Sequence, residues 1–275
     1  MWNNDVSISK QMRIGVVSYL NSKPLVEGLQ SLLPKAILEF DTPSRLSTRM
    51  KSGEFDIGLI PSVEFLAWEN STFIGGIAVA CFGQVQSVCI HSKKPLNQIR
   101  SMALDEGSKT SIALMRVIFE ENNWKLDETT PFPMDGNPHD IHSDAVLLIG
   151  DRAMADYLPG FPFKMDLGEE WKRLTGLPFV FALWAVRPGL KLSAMEIKAF
   201  HEALNLGKKN IRDIATREST LLGKDPDKCF LYLTNNIKFD LGTGELTALS
   251  LFQTKLVGMG LIKGRNFHEV DQLDS

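Results

Sequence analysis

The sequence predicts an α/β protein of two lobes closing on a ligand cleft, and three observations carry that expectation. Short β-rich runs alternate with helical patterns through the first two thirds of the 275 residues, and the last third reads as helix after helix. Two extended apolar stretches, at residues 85–90 and Phe179–Val186, bracket a middle segment that repeats the strand, turn, helix pattern on a smaller scale. At about 150 residues per domain the length leaves room for about two domains. The first lobe is expected to be discontinuous, residues 12–92 and 188–275, with residues 93–187 inserted as the second lobe; such designs close over a ligand by hinge motion.

Each element has its own signals. Arg13–Val17 is an apolar strand running into Ser18-Tyr19-Leu20-Asn21-Ser22-Lys23-Pro24, where Asn21 or Ser22 is placed to cap a helix with Pro24 in its first turn. Ile37–Asp41 is a second strand, followed by Thr42-Pro43-Ser44 and a helix whose Leu46 and Met50 share one face before Gly53 ends it. Residues 56–60 form a third strand, and Pro61-Ser62 opens a helix through Phe65 and Leu66. Residues 73–80 and 85–90 are extended, and Ser92-Lys93-Lys94-Pro95 breaks the pattern at the expected lobe boundary. A strand over 101–104, a turn over 106–111 and a helix over 111–122 follow, then the buried strand Ala145–Ile149, which ends in Gly150-Asp151 and leads to a helix over 151–157. Phe179–Val186 returns to the first lobe and Pro188-Gly189 ends it. The tail offers helices over 193–217, 226–236 and 243–259, with Asp225 and Pro226 starting the second and Leu246, Leu249, Phe252 and Leu256 at helical spacing in the third.

Composition narrows the function. Apolar residues make up 44% and charged residues 23%, as in an ordinary globular protein. Thirty Lys+Arg against 33 Asp+Glu leave a net charge of -3, with no basic surplus for a phosphate backbone, so nucleic acid is not an expected partner. No apolar run approaches the ~20 residues of a spanning helix, and none precedes Ile14, so neither a membrane segment nor a signal peptide is expected and the protein is read as cytoplasmic. Cys81, Cys89 and Cys229 cannot all pair and form no CxxC, which makes them buried thiols rather than a disulfide framework or a zinc site. GxGxxG, GxxxxGK[ST], HExxH and GxSxG are absent. His139 and His142, with Asp140 and Asp144 nearby, follow Gly136-Asn137-Pro138 and read as a loop rather than a metal site. Asp166, Glu169 and Glu170 read as acids at a helix start.

Small hydroxyl and amide residues recur where strands hand over to helices, at Ser18 to Ser22, Pro43-Ser44, Pro61-Ser62 and Gly107-Ser108-Lys109-Thr110-Ser111. Each alone reads as a helix cap. Together, at strand ends and helix N-termini, they suggest a cleft for a small acidic molecule. Ser87 faces the same space if its side chain points inward, and Lys23, Lys109 and Arg173 are the cations that could draw an anion in.

The run Ile14-Gly15-Val16-Val17-Ser18-Tyr19-Leu20-Asn21-Ser22-Lys23-Pro24 resembles the opening of the chorismate dehydratases of the futalosine route to menaquinone. Further likenesses follow in order: Gly53-Glu54-Phe55-Asp56-Ile57-Gly58-Leu59-Ile60-Pro61, Gln86-Ser87-Val88, Leu104-Asp105 with Ser108, Thr110 and Ser111, Ile149-Gly150-Asp151, Asp166-Leu167-Gly168-Glu169-Glu170-Trp171, and Thr175-Gly176-Leu177-Pro178-Phe179-Val180-Phe181-Ala182-Leu183-Trp184. The resemblance implies a type II periplasmic-binding-protein fold and dehydration of chorismate to 3-[(1-carboxyvinyl)oxy]benzoate, a hydro-lyase reaction. It implies no cofactor and no metal, since aromatisation of the ring supplies the driving force. Carried over from the family's motifs, Asn21 and Ser87 are expected to bond near the reacting ring, and Thr110 and Ser111 to bind a substrate carboxylate. Ser22, Ser44 and Ser62 are expected along the first-lobe wall, and Asp151 at the second-lobe mouth, where it is also the protein's candidate base beside the substrate's own enolpyruvyl carboxylate. Two other readings stay open: a non-catalytic small-anion-binding protein, and the sister lyase that makes 1,4-dihydroxy-6-naphthoate. The oligomeric state is not legible.

Overall fold

The computed structural model describes residues 11–107, 109–154 and 158–272. The chain runs β1 (Arg13–Val17), α1 (Leu29–Leu32), β2 (Ile37–Asp41), α2 (Pro43–Lys51), β3 (Ile57–Pro61), α3 (Ser62–Leu66) and β4 (Thr72–Cys81) before it first changes lobe. The second lobe contributes β5 (Val88–Ser92), β6 (Ser101–Asp105), α4 (Lys109–Glu121), β7 (Glu128–Phe132), β8 (Ala145–Ile149), β9 (Phe163–Asp166) and α5 (Leu167–Thr175). The return brings β10 (Phe179–Val186), α6 (Ala194–Lys209), α7 (Ile211–Leu222), α8 (Pro226–Leu231), β11 (Lys238–Leu241) and α9 (Thr243–Gly258).

Two sheets result, one of order β11-β4-β10-β3-β1-β2 and one of order β7-β6-β8-β5-β9. In the first, β1 runs parallel to β2 and β3, while β10 lies antiparallel between β3 and β4. Every residue of β3 is buried, as befits a central strand covered on both faces. The sheets correct the expected lobe boundaries. Val88–Ser92 pairs with β8 and β9, and Phe179–Val186 with β3 and β4, so the chain crosses at residues 82–87 and returns at 176–178, rather than at 92/93 and 187/188.

Three strands were not legible: β7, β9 and β11. All three lie at sheet edges, where exposed polar side chains and, in β7, Pro131 blunt the pairing edge and erase the apolar alternation. The long tail helix breaks at Asn210 into α6 and α7, and the stretch expected as one helix over 226–236 is α8 followed by a π-helical turn, Tyr232–Asn236. The helix expected over 151–157 is a 3-10 turn, Gly150–Met154; residues 155–157, like Ser108, lie outside those described.

The segment after β1 is a 3-10 helix, Leu20–Leu25, and neither Asn21 nor Ser22 is its cap. The Ser22 hydroxyl instead donates back to the carbonyls of Val17 and Tyr19, the latter at 2.7 Å, closing the strand-to-helix turn from inside. α6 lies on this segment at glycine-limited distance: a Cβ at Gly207 would stand 2.0 Å from the Pro24 carbonyl oxygen.

β5 also buries His91, 1% exposed, with its Nε2 unpartnered among the described residues. Burial, with the charge of Lys164 adding to it and a backbone hydrogen bond at Ala153 opposing, pushes the imidazole pKa down to about 4. Between the ordinary value of about 6.5 and that lower one, the unfolded chain binds a proton the folded chain refuses, so stability falls on acidification by up to ~3 kcal/mol. Urea unfolding measured from pH 7 to pH 4 should have a visibly smaller pH slope in His91→Gln; an equally steep slope would place the acid sensitivity elsewhere.

Candidate active site

Between the lobes lies a cleft with about 540 Å³ of empty space, part of it open to solvent. Its walls are mostly apolar, including Val17, Leu59, Val79, Val88, Ile149 and Phe181, and the side chains among them that can bond a ligand are Tyr19, Asn21, Ser87 and Ser111. Asn21 and Tyr19 come from the turn after β1, Ser87 from the crossing segment, and Ser111 from the first turn of α4. Three residues expected in the site, Asn21, Ser87 and Ser111, are therefore brought together.

The others are placed differently. Ser22 is fully buried and committed to the main chain; Ser62, also fully buried, donates to the Val180 carbonyl at 2.8 Å and ties α3 to β10. Ser44 is not among the lining residues, where its neighbour Pro43 stands. For Ser22 and Ser62 the reason is the same: a hydroxyl at a strand-to-helix junction meets backbone carbonyls before it meets a ligand. Thr110 spans the lobes, its Oγ1 accepting from the Val63 N–H at 3.1 Å. Asp151 spans them too, accepting from the Leu20 N–H; burial pushes its carboxyl above the ordinary range, against Lys224, that backbone donor and Lys23. Both act as fasteners across the cleft rather than as its lining.

The cations expected to attract an anion are occupied. Lys23 pairs with Glu218 at 3.1 Å, Arg173 with Glu170 at 2.6 Å, and Lys109 with Glu64 at 2.5 Å, where Lys51 reaches the second carboxylate oxygen at the same distance. Burial raises the Glu64 carboxyl, and Lys109 and Lys51 overcome this to hold it below the ordinary range. The bonding side chains that line the cleft are thus hydroxyls and an amide rather than cations.

One cleft-side residue escaped the sequence reading. Tyr232, 1% exposed at the start of the π-helical turn, accepts from Asn21 Nδ2 at 3.1 Å and donates to Ser87 Oγ at 2.9 Å. Burial drives its phenol far above the ordinary range and keeps it neutral. A second support holds Ser87 from behind. Gln86 has a left-handed backbone, φ 63°, and the Asp166 carboxylate accepts from its N–H at 2.6 Å and from the Val85 N–H at 3.0 Å while also capping α5 through Gly168 and Glu169. That left-handed residue breaks the strand alternation that left the direction of Ser87 undecided. The neighbouring Gly150 has φ 65°, and a Cβ there would stand 3.1 Å from the Tyr19 ring, so the second lobe offers bare backbone to the first.

His139 and Asp140 lie in a short 3-10 turn capped by Asn137, and Asp144 pairs with Lys94 at 2.7 Å; among the described residues no group of three or more His, Cys, Asp or Glu is placed to hold a metal ion. The three cysteines are free and buried, and no described helix is long and apolar enough to cross a membrane.

Two α/β lobes, a discontinuous first lobe and a small-molecule cleft between them define a protein of the periplasmic-binding-protein fold. A solved protein of Archaeoglobus fulgidus superposes with a TM-score of 0.77 at 16% identity, covering 93% of this chain and 100% of that one. The periplasmic aliphatic sulphonate binding protein of Escherichia coli does so at 0.67 and 14%, covering 96% and 94%. Within that fold the chain belongs to the menaquinone biosynthesis family, whose model matches residues 12–257. It is 28% identical over 253 residues to the chorismate dehydratase of Thermus thermophilus, covering 81% of this chain and 87% of the relative. It is 29% identical over 177 residues to that of Campylobacter jejuni, covering 62% and 66%.

Proposed function

We propose that this chain dehydrates chorismate to 3-[(1-carboxyvinyl)oxy]benzoate as a carbon–oxygen lyase. The observation that carries the reading is the meeting of Asn21 and Ser87 in one largely apolar cleft, in a chain whose family and named relatives belong to this chemistry. Chorismate has a hydrogen at the ether carbon that is vinylogously acidic to the ring carboxylate. The C–H electron pair moves through the ring toward that carboxylate as the proton leaves, the ring C–O bond then breaks, and the departing hydroxide takes up a proton to leave as water. The protein's work is to hold the dianion, stabilise charge building on the ring carboxylate and assist the leaving hydroxide.

A phenol, an amide and two hydroxyls are the bonding side chains of the wall, and none is a base at neutral pH. This favours the substrate's own enolpyruvyl carboxylate as proton acceptor, with Asn21 and Ser87 arranging it. Asp151, the rival base, is engaged by the Leu20 N–H. Incubation of the purified protein with chorismate in metal-free buffer should yield an aromatic ultraviolet spectrum and a product lighter by one water. Asp151→Asn should keep kcat within about threefold and raise KM, since it loosens an interlobe bond. A chorismate-binding but dead Asp151→Asn would make Asp151 the base; binding without turnover by the unaltered chain would make it a binding protein.

A further inference from the structure

We propose that Tyr232 is a positioning residue for this reaction: its phenol fixes the direction in which the Ser87 hydroxyl donates. The inference rests on the dehydratase reading above and adds to it a group outside the cleft. An amide nitrogen can only donate. Asn21 Nδ2 stands 3.1 Å from the Tyr232 oxygen, so that oxygen accepts there, and the single phenolic proton is left for Ser87 Oγ at 2.9 Å. Ser87 thus accepts from Tyr232, and its own proton donates to no group among the described residues while its side chain lines the cleft. The hydrogen-bond chain ends in a proton aimed at the ligand, and each bond in such a chain polarises the next. A serine without this neighbour could turn and accept from a ligand instead.

The placement of Tyr232 is itself built. It opens a π-helical turn, a geometry often found at functional sites. The same turn sends a second bond to the crossing segment, from Asn236 Nδ2 to the Gln84 carbonyl at 2.9 Å. Tail and crossing segment are therefore locked together at Ser87 and again at Gln84. Tyr232 is fully enclosed and absent from the cleft wall, so it acts on a ligand only through its two partners.

The test is a double-mutant cycle with chorismate. Tyr232→Phe keeps the buried ring and should lower kcat by about tenfold to thirtyfold, with KM within about threefold. In a Ser87→Ala background the same change should cost no more than about threefold, because only the bond to Asn21 is left to lose. Full activity of Tyr232→Phe, or losses that multiply in the double variant, would overturn the inference while leaving the dehydratase reading intact. An unaltered chain that does not turn chorismate over would fell both. Should the phenylalanine variant fail to fold, 3-fluorotyrosine at 232, close in size and a stronger hydrogen-bond donor, should change kcat by more than about twofold with Ser87 present and leave it unaltered in the Ser87→Ala background; an unchanged kcat with Ser87 present would overturn the inference.

Discussion

Ser87→Ala should lower kcat for chorismate dehydration by about a hundredfold while KM changes little. On the inference above, a completed hydrogen-bond chain aims this hydroxyl's proton into the cleft, so its loss falls on charge that develops in the transition state. Deletion of a preorganised donor of this kind commonly costs about 10²–10³ in rate. The substitution also leaves the buried Tyr232 proton without an acceptor. Part of that cost is borne by free and bound enzyme alike and shows in thermal stability rather than in kcat. Steady-state rates from aromatic absorbance separate the two; a kcat within threefold of the unaltered enzyme would remove Ser87 from the chemistry.

Asp166→Ala should cost about 3–5 kcal/mol of stability, because one buried carboxylate serves four backbone donors, Val85, Gln86, Gly168 and Glu169. At roughly 2–4 °C per kcal/mol for a chain of this size, the midpoint should fall by about 10 °C or more. Burial raises this carboxyl and the four N–H groups work against the rise. Asp166→Asn, which keeps one acceptor oxygen, should lie between the two in calorimetry. Activity measured well below the lowered midpoint should still be reduced in Asp166→Ala, since the left-handed Gln86 that aims Ser87 has lost its anchor. An alanine variant within 2 °C of the unaltered protein would mean water replaces the carboxylate at little cost.

Central strands were legible because their apolar runs are buried on both faces, as in Ile57–Pro61 and Ala145–Ile149. Of the four edge strands only β2, with Ile37, Leu38 and Phe40, was read, and the others, such as Lys238–Leu241, were not, since the residues that keep an edge from pairing also hide it from the eye. At the site, Asn21 and Ser87 could be named from their motifs, whereas Ser22, Ser44 and Ser62 carried the same hydroxyl signal without reaching the cleft. Whether a serine turns to backbone or to ligand is settled by one rotamer, and local sequence does not encode that choice. Tyr232 stands 211 residues from Asn21 and 145 from Ser87, inside a stretch that reads as ordinary helix. Nothing short of the folded chain brings the three together.

The position of β10 also decides when the first lobe can be finished. It sits between β3 and β4 in the middle of the sheet, yet it leaves the ribosome only after the whole inserted lobe has been made. Until then the facing edges of β3 and β4, both largely apolar, have no partner, and each is a template for the wrong strand. The inserted lobe has its strands in one contiguous stretch and can assemble first. The chain therefore emerges as a nascent protein whose second lobe is complete while its first is an open seam, and the interval between residues 81 and 186 is the period in which chaperones would have most to protect.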